Sequence, residues 1–237
     1  MSEEVLPGVY AVKIRGGYVN AYFILHDEVV LVDSGLPRQA DTILRAVRAA
    51  GRQPDDLRHV LITHHHVDHA GSLAALVQIS GATVYVHPLD APIVRGDREV
   101  PGPNPKSRVG RVLGPLVMRL TPRRLPSVVI DHEVTDGEKL ALAGGITVVH
   151  TPGHTAGHTA YLWPERGGVL FVGDAAGNLL GRLGPPFGMF TEDMDQARQS
   201  LRKIAALEFE TACFGHSGVI KGKAHVAFRR YVEKMAR

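Results

Sequence analysis

The sequence predicts a single α/β domain in which strands and helices alternate along 237 residues. Short runs of branched apolar residues, typical of buried strands, alternate with longer stretches that carry apolar residues at helical spacing. An apolar content of 44% is enough to bury two packed sheets and their flanking helices. We therefore expect one domain, residues 1–237, with no second folding unit.

The order of elements follows from these patterns. The predicted strands are 5–14, 19–25, 29–33, 57–62, 146–150, 170–174 and 212–214. The predicted helices are about 38–50, 70–77, 194–207 and 223–235. Strands precede the first helix, and the two types then alternate.

A basic excursion interrupts the middle of this pattern, at about residues 88–130. Between Val100 and Ile130 there is no acidic residue, and Pro115 is predicted to kink or interrupt a helix with one apolar face. The six basic residues there are Lys106, Arg108, Arg111, Arg119, Arg123 and Arg124. Two interpretations stay open. The excursion is either a solvated face or homodimer contact, or a lid that selects acidic or amphiphilic substrates.

Composition limits the compartment and the partners. The net charge of +3 is the small difference between 27 basic and 24 acidic residues, so the overall charge says little about a nucleic-acid partner. No such partner is expected, because no inserted or appended RNA-binding module is visible. The single cysteine, Cys213, lies in an apolar strand and is expected to be a buried structural thiol. The first residues lack a signal peptide pattern, and no apolar run approaches the ~18 residues of a membrane span. We expect a cytoplasmic protein without a membrane span.

The strongest chemical signal is residues 63–69, in which four imidazoles and one carboxylate occur within seven residues. Such a cluster is typical of a metal site, because packed imidazoles repel one another once protonated. His64 and His66 are two residues apart and can converge on one ion from an extended loop. Asp68 and His69 fall on the following helical turn and face a second point. One motif can therefore supply ligands to two adjacent metals.

Three later segments provide further ligand-type side chains at strand ends. His154 follows the strand 146–150 in a turn that contains Pro and Gly, and Asp174 ends the strand 170–174. His216 follows the strand 212–214. A carboxylate such as Asp174 can bridge two cations. His158 lies in the loop of His154 and is expected to support the site without binding metal.

With these motifs the chain resembles the metallo-β-lactamase superfamily, from the segment ending in Asp33 through His216. The resemblance implies a four-layer αββα sandwich with the metal pocket at the strand ends. It implies that His64, His66 and His154 bind one metal, that Asp68, His69 and His216 bind a second, and that Asp174 bridges them. It also implies that Asp33 orients a ligand imidazole. The expected cofactors are two divalent metal ions, Zn²⁺ first, with Fe or Mn as alternatives.

The chemistry expected of such a centre is hydrolysis. Two close cations lower the pKa of a shared water toward ~7, so a hydroxide that bridges them is available to attack a carbonyl carbon. Asp68 is the candidate catalytic residue, because it lies beside this nucleophile and can carry its proton to the leaving group. The predicted substrate is a small-molecule ester, thioester or lactone.

Some branches of the superfamily fit the sequence less well. Only 21 residues follow His216, which leaves no room for a helical glutathione-binding domain and disfavours a glutathione thioester. Exported β-lactamases lack a carboxylate at the position of Asp174, and acyl-homoserine lactonases carry a tyrosine that the segment 177–190 lacks. Two alternatives stay open: an oxygenase resembling mononuclear-iron persulfide dioxygenases, and a non-catalytic metal-stabilised binding protein. Five residues are candidates for an apolar pocket mouth: Leu179, Leu180, Phe187, Met189 and Phe190.

Overall fold

The computed structural model describes residues 2–179 and 181–236. The strands in that part of the chain are β1 (Ser2–Leu6), β2 (Val9–Ile14), β3 (Val19–Leu25), β4 (Val29–Val32), β5 (Leu57–Leu61), β6 (Thr83–Val86), β7 (His132–Glu133), β8 (Lys139–Leu140), β9 (Ile146–His150), β10 (Thr159–Trp163), β11 (Val169–Gly173), β12 (Gly177–Leu179), β13 (Arg182–Gly184), β14 (Thr211–Phe214) and β15 (Ile220–Lys221). The helices are α1 (Ala40–Ala49), α2 (Val67–Ala70), α3 (Leu73–Ser80), α4 (Ala91–Val94), α5 (Arg108–Leu120), α6 (Met194–Ala205) and α7 (Ala224–Met235).

Two mixed sheets organise the fold. The first has the order β1-β2-β3-β4-β5-β6-β7 and is antiparallel up to β4 and parallel from β4 to β7. The second has the order β15-β14-β11-β10-β9-β8, in which only the β11–β14 pair is parallel among the described strands. Parallel neighbours such as β4 and β5, or β11 and β14, end at the same edge of their sheet, so the loops that follow them lie side by side.

The alternation of side chains along the strands builds the core between the sheets. In β4, Val30 and Val32 face the second sheet, whereas Leu31 faces the helices. In β11, Phe171 points to the first sheet and Val172 points to the opposite side. The two sheets therefore share one buried layer.

Each sheet is covered on its outer face by helices. The first sheet packs against α1 and α3, whose buried side chains include Ile43 and Leu76. The second packs against α6 and α7 through Leu201 and Phe228. Helix α6 begins at Met194 because the Asp193 carboxylate accepts hydrogen bonds from the first free backbone N–H groups. The layers are helix, sheet, sheet and helix, which confirms the predicted αββα sandwich.

Three elements differ from the sequence-based expectation. The predicted strand 5–14 is two strands, because the Pro7-Gly8 turn reverses the chain and Gly8 adopts a φ of 86°. The predicted helix 70–77 is divided into α2 and α3. Helix α5 continues through Pro115, whose exposed position lets the carbonyl that loses its N–H partner face water. None of the helices in the described ranges combines the length and apolar content needed to span a membrane.

Candidate metal centre

Three imidazoles converge beyond the end of β5. His64 and His66 lie in the extended segment between β5 and α2, and His154 lies in the loop after β9. Nδ1 of His66 lies 3.0 Å from Nε2 of His64 and 3.0 Å from Nε2 of His154. The structure thus brings together three nitrogens that the sequence separates by up to 90 positions.

Burial keeps these three rings neutral. Desolvation, reinforced by neighbouring imidazoles, lowers the pKa of His64 and of His66 well below the usual value. Burial also lowers the pKa of His154 to about 4, although Asp174 opposes this. Neutral imidazoles keep a lone pair, which is the form that binds a metal ion.

A second cluster forms where α2 meets the end of β14. Asp68 and His69 lie on α2, and His216 follows β14. One ligand atom from each of these residues lies within 4.8 Å of the others. Nε2 of His216 is 3.4 Å from Oδ2 of Asp68. The split of the motif between two points in space agrees with the spacing argument from the sequence.

The electrostatics of the second cluster are opposite to those of the first. Burial favours a neutral His69, but the Asp174 and Asp33 carboxylates raise its pKa to about 9. Asp174 and Asp68 likewise outweigh burial at His216 and raise its pKa to about 12. Burial opposes ionisation of Asp68, yet His216 and His69 lower its pKa to about 2. The carboxylates thus favour positive charge at this point, whether it is a proton or a metal cation.

Asp174 lies between the two clusters. Its Oδ1 is 3.5 Å from Nε2 of His69, and its Oδ2 is 3.5 Å from Nε2 of His154 and 3.2 Å from Nε2 of His216. Burial would raise the pKa of this carboxyl, but the charges of His69 and His216 hold it well below its usual value. One ionised carboxylate therefore faces both clusters, which is the arrangement a bridging ligand requires.

The tautomer of His64 follows from its hydrogen bonds. The Thr63 hydroxyl donates its only proton to Asp33, at 2.9 Å from Oδ2 and 3.0 Å from Oδ1. It must therefore accept the bond from Nδ1 of His64, at 2.9 Å. With its proton on Nδ1, His64 presents an unprotonated Nε2 to the cluster.

His154 and His216 are oriented by the same principle. The Thr191 hydroxyl donates to the Phe187 carbonyl at 3.0 Å and accepts from Nδ1 of His154 at 3.2 Å. Nδ1 of His216 donates to the Tyr18 carbonyl. Both rings therefore direct Nε2 inward.

These donors fit metal cations. Nε2 of His69 is buried and has no hydrogen-bond partner among the described residues. Nε2 of His64 and Nε2 of His154 carry lone pairs and both face Nδ1 of His66, which can donate at most one proton to them. A cation at this point would satisfy all three nitrogens at once. Imidazoles combined with carboxylates suit Zn²⁺ and also accept Fe or Mn.

Asp33 holds the base of the centre together. Its Oδ1 accepts from the Thr63 backbone N–H at 2.8 Å, and its Oδ2 accepts from Nδ1 of His69 at 2.8 Å. Asp33 is buried and adopts a left-handed backbone, with a φ of 63°, which aspartate tolerates better than most residues. The structure places Asp33 one hydrogen bond behind the imidazole of His69, a predicted metal ligand.

His158 contacts Asp174 and not the cluster centre. Its Nε2 accepts from the Asp174 backbone N–H at 3.0 Å, and its Nδ1 donates to the Thr151 hydroxyl at 2.8 Å. Burial and His154 lower its pKa to about 3. A Cβ on Gly173 would lie 2.7 Å from His158 Nε2, so a glycine there permits this contact. His158 therefore orients the strand end that carries Asp174.

One supporting residue was missed by the sequence analysis. Asp90, buried before α4, accepts at Oδ2 from the His65 backbone N–H at 2.9 Å and from the Thr155 hydroxyl at 2.8 Å. Its Oδ1 accepts from the Gly157 backbone N–H at 2.9 Å. Burial opposes its ionisation, but His65 and Thr155 lower its pKa to about 2. Asp90 thus joins the segment 63–69 to the loop that follows β9. A lone aspartate in the segment 87–90 carries no local signal of this role.

The clusters open into a cavity of about 870 Å³. Helix α5 covers part of it, with Val117, Met118 and Leu120 in the lining. Two of the five residues predicted at the pocket mouth, Phe187 and Phe190, line it. Leu179 and Met189 are not among the lining residues, and Leu180 lies outside the described residues. Within the described ranges, none of the six basic side chains of the excursion lines the cavity.

The chain is similar to several known hydrolases and to a metallo-beta-lactamase family protein. The family model described as Metallo-beta-lactamase superfamily matches residues 14–216. The protein described as "Probable metallo-hydrolase YflN" from Bacillus subtilis (strain 168) is 32% identical over 242 residues, which covers 93% of this chain and 88% of that protein. A hydroxyacylglutathione hydrolase of Pseudomonas paraeruginosa (strain DSM 24068 / PA7) is 32% identical over 189 residues, covering 78% of this chain.

The match covers 54% of that hydroxyacylglutathione hydrolase, so the chain spans about half of its length. Among solved structures, a metallo-beta-lactamase family protein from Thermus thermophilus superimposes with a TM-score of 0.71 at 25% identity. That superposition covers 98% of this chain and 80% of the other.

Proposed function

The chain belongs to the metallo-beta-lactamase superfamily and is a metallo-hydrolase, and we propose that it cleaves an ester, thioester or lactone bond in a small molecule with two bound divalent cations. The observation that carries this proposal is the pair of donor clusters joined by Asp174. The cavity in front of them has room for a small organic substrate.

Each residue has a distinct role in the proposal. His64, His66 and His154 hold one cation, Asp68, His69 and His216 hold the other, and Asp174 contacts both. Asp33 and His158 position these ligands from behind. Zn²⁺ is the proposed metal, because five of the seven proposed donors are imidazoles and the other two are carboxylates. When bound, such a pair of cations lowers the pKa of a shared water and polarises a carbonyl oxygen.

Asp68 is the proposed catalytic residue. Its carboxylate lines the cavity beside His216 and is only partly exposed. A pKa of about 2 keeps it ionised at neutral pH, so it can accept a hydrogen bond from the attacking water. As the water attacks, its O–H bond breaks and the proton moves to the Asp68 carboxylate, which then passes it to the leaving oxygen, sulfur or nitrogen.

The excursion at 88–130 forms the roof of the cavity in this proposal. Val100, Val117 and Leu120 contribute apolar surface above the metal ligands. We propose that the chain forms one domain, because the two sheets share a buried layer. Whether the exposed side of α5 also forms a homodimer contact stays a prediction.

Metal analysis combined with a substrate panel tests the proposal. Protein purified without added metal should contain two zinc ions per chain and should hydrolyse at least one of a set of 4-nitrophenyl esters, acyl thioesters and lactones. The variant His154→Ala should lose at least one metal per chain. His132→Ala, which removes an exposed imidazole paired with Glu138, is the matched control and should lose none.

Two outcomes would contradict the proposal. Full metal content in His154→Ala would remove the assigned ligand set. One iron per chain without turnover of the panel would favour the mononuclear iron oxygenase instead.

A further inference from the structure

Two arginines line the cavity from outside the metal centre. Arg15 lies in the turn after β2, and Arg38 lies in the loop before α1. The two segments adjoin, because the Cδ1 of Ile14 occupies the space where a Cβ on Gly35 would lie. Both arginines therefore belong to one wall of the cavity, formed by neighbouring loops.

Neither arginine forms an ion pair within the described part of the chain. Among the described residues, no carboxylate lies within 4.0 Å of either guanidinium, whereas other arginines, such as Arg198 and Arg229, are paired. Both Arg15 and Arg38 are exposed. Their positive charges are thus available to a ligand in the cavity.

The backbone at both positions is unusual for arginine. Arg15 has a φ of 46° and Arg38 has a φ of 64°, in the left-handed region that favours glycine. Such conformations persist where the surrounding structure holds them, and they concentrate at binding sites. Here they occur at two residues that line the same cavity.

The remaining lining residues define what such a ligand would look like. In the described part of the chain, the only acidic side chains in the lining are Asp68 and Asp174, which belong to the metal centre. Most of the other lining side chains are apolar, including Val117, Leu120 and Phe187. The cavity therefore combines a cationic wall, an apolar roof and a reactive centre.

We propose that Arg15 and Arg38 form an anion subsite that binds amphiphilic ligands with an apolar body and an anionic group. Combined with the proposed function, on which this part rests, the substrate is an ester, thioester or lactone that bears a negative charge away from the scissile bond. The positive charge is supplied by these two residues and not by the basic side chains of the excursion.

Binding of two matched probes tests the subsite without any reaction. The anionic probe is 8-anilinonaphthalene-1-sulfonate, and the neutral probe is N-phenyl-1-naphthylamine, which has the same ring system without the sulfonate. Fluorescence titration of the full-length, metal-loaded chain gives a Kd for each. The ratio of the anionic Kd to the neutral Kd should rise about two- to fivefold in Arg15→Gln or Arg38→Gln and about tenfold in the double variant. Added salt should reduce this difference.

Arg111→Gln is the matched control, because Arg111 is an exposed arginine of α5 that does not line the cavity. Its ratio should equal that of the wild type. An unchanged ratio in the double variant would overturn the subsite. An equal change of the Kd ratio in Arg111→Gln would also overturn the subsite, because the anion would then bind on α5. Binding of the neutral probe also reports that each variant is folded.

A second pair of probes separates the subsite from the proposed hydrolysis. The neutral ester is 4-nitrophenyl octanoate, and the anionic ester is the mono-4-nitrophenyl ester of octanedioic acid. The ratio of kcat/KM for the anionic ester to that for the neutral ester should fall about tenfold in the double variant. If the wild type hydrolyses neither ester and no other member of the panel of esters, thioesters and lactones while the dye ratio still depends on both arginines, the proposed function fails and the subsite stands. If both esters are hydrolysed with an unchanged ratio, the subsite fails and the proposed function stands.

Discussion

Replacement of Asp90 by asparagine tests how the segment 63–69 and the loop after β9 are held together. The Asp90 carboxylate accepts three hydrogen bonds, from the backbone N–H groups of His65 and Gly157 and from the Thr155 hydroxyl, and its Oδ2 also lies 3.1 Å from Nδ1 of His65. An asparagine has one acceptor oxygen and one NH₂ group in the same space. In either orientation its NH₂ faces at least one of these buried donors.

Two related considerations give the size of the effect. Leaving one buried donor unsatisfied costs about 1–3 kcal/mol, and the remaining bonds lose their charge assistance. The pKa of Asp90 is lowered from 3.8 to about 2, which corresponds to roughly 2 kcal/mol in favour of the carboxylate in the folded protein. We therefore expect Asp90→Asn to lower the free energy of unfolding by about 2–3 kcal/mol.

Urea unfolding of the metal-loaded protein measures this difference. Asp136→Asn is the matched control, because Asp136 also accepts bonds from a backbone N–H and a side chain, but on the exposed surface. It should lose less than about 1 kcal/mol.

The pH dependence has a defined sign. A lowered carboxyl pKa stabilises the fold above the unfolded-state value, so the difference between wild type and Asp90→Asn should be constant above about pH 5. It should shrink as the pH falls through 3.8 toward 2. Equal midpoints for Asp90→Asn and Asp136→Asn at neutral pH would refute the reasoning.

Three further outcomes are expected. Gly215→Ala places a methyl group against the Asp174 carboxylate and 2.6 Å from Cε1 of His69. Zinc affinity, measured against a competing chelator, should therefore fall at least tenfold, roughly the loss seen when groups behind a metal ligand are removed. Gly218→Ala, where a Cβ contacts nothing within 4 Å, should retain wild-type affinity. Asp68→Asn should lower kcat by about 100-fold or more, since proton transfer by a positioned side chain contributes at least that much, and full turnover at full metal occupancy would exclude its catalytic role. A metal ion present at 100–1,000 times its Kd stabilises the fold by about 3–4 kcal/mol. Removal of the metal by chelation should therefore lower the Tm, and added zinc should restore it. An unchanged Tm would mean that the clusters do not hold a cation.

Much of the candidate centre was predictable because the ligand-type side chains are recognisable from their local sequence. Each ligand-bearing segment follows an apolar strand, and residues 63–69 alone show an unusual density of imidazoles. All seven predicted ligand side chains lie in the two clusters or between them. The sandwich was likewise expected from the alternation of strands and helices, together with the resemblance.

Other features gave no local signal. Asp90 is an isolated aspartate until the fold places it between the loops of His65 and Thr155. Arg15 and Arg38 look like surface arginines in the sequence, whereas the more conspicuous basic excursion contributes only apolar and small side chains to the cavity.

The sequence by itself determined which side chains can bind metal and at which strand ends they lie, because hydrophobic pattern and ligand density are properties of contiguous residues. Only the tertiary structure decided which nitrogens share a point, which tautomer each ring adopts and which charges face the substrate. These depend on contacts between distant segments, such as the bond from His216 to the Tyr18 carbonyl across 198 positions. Such contacts arise from the packing of the two sheets, and no short stretch of the chain encodes them.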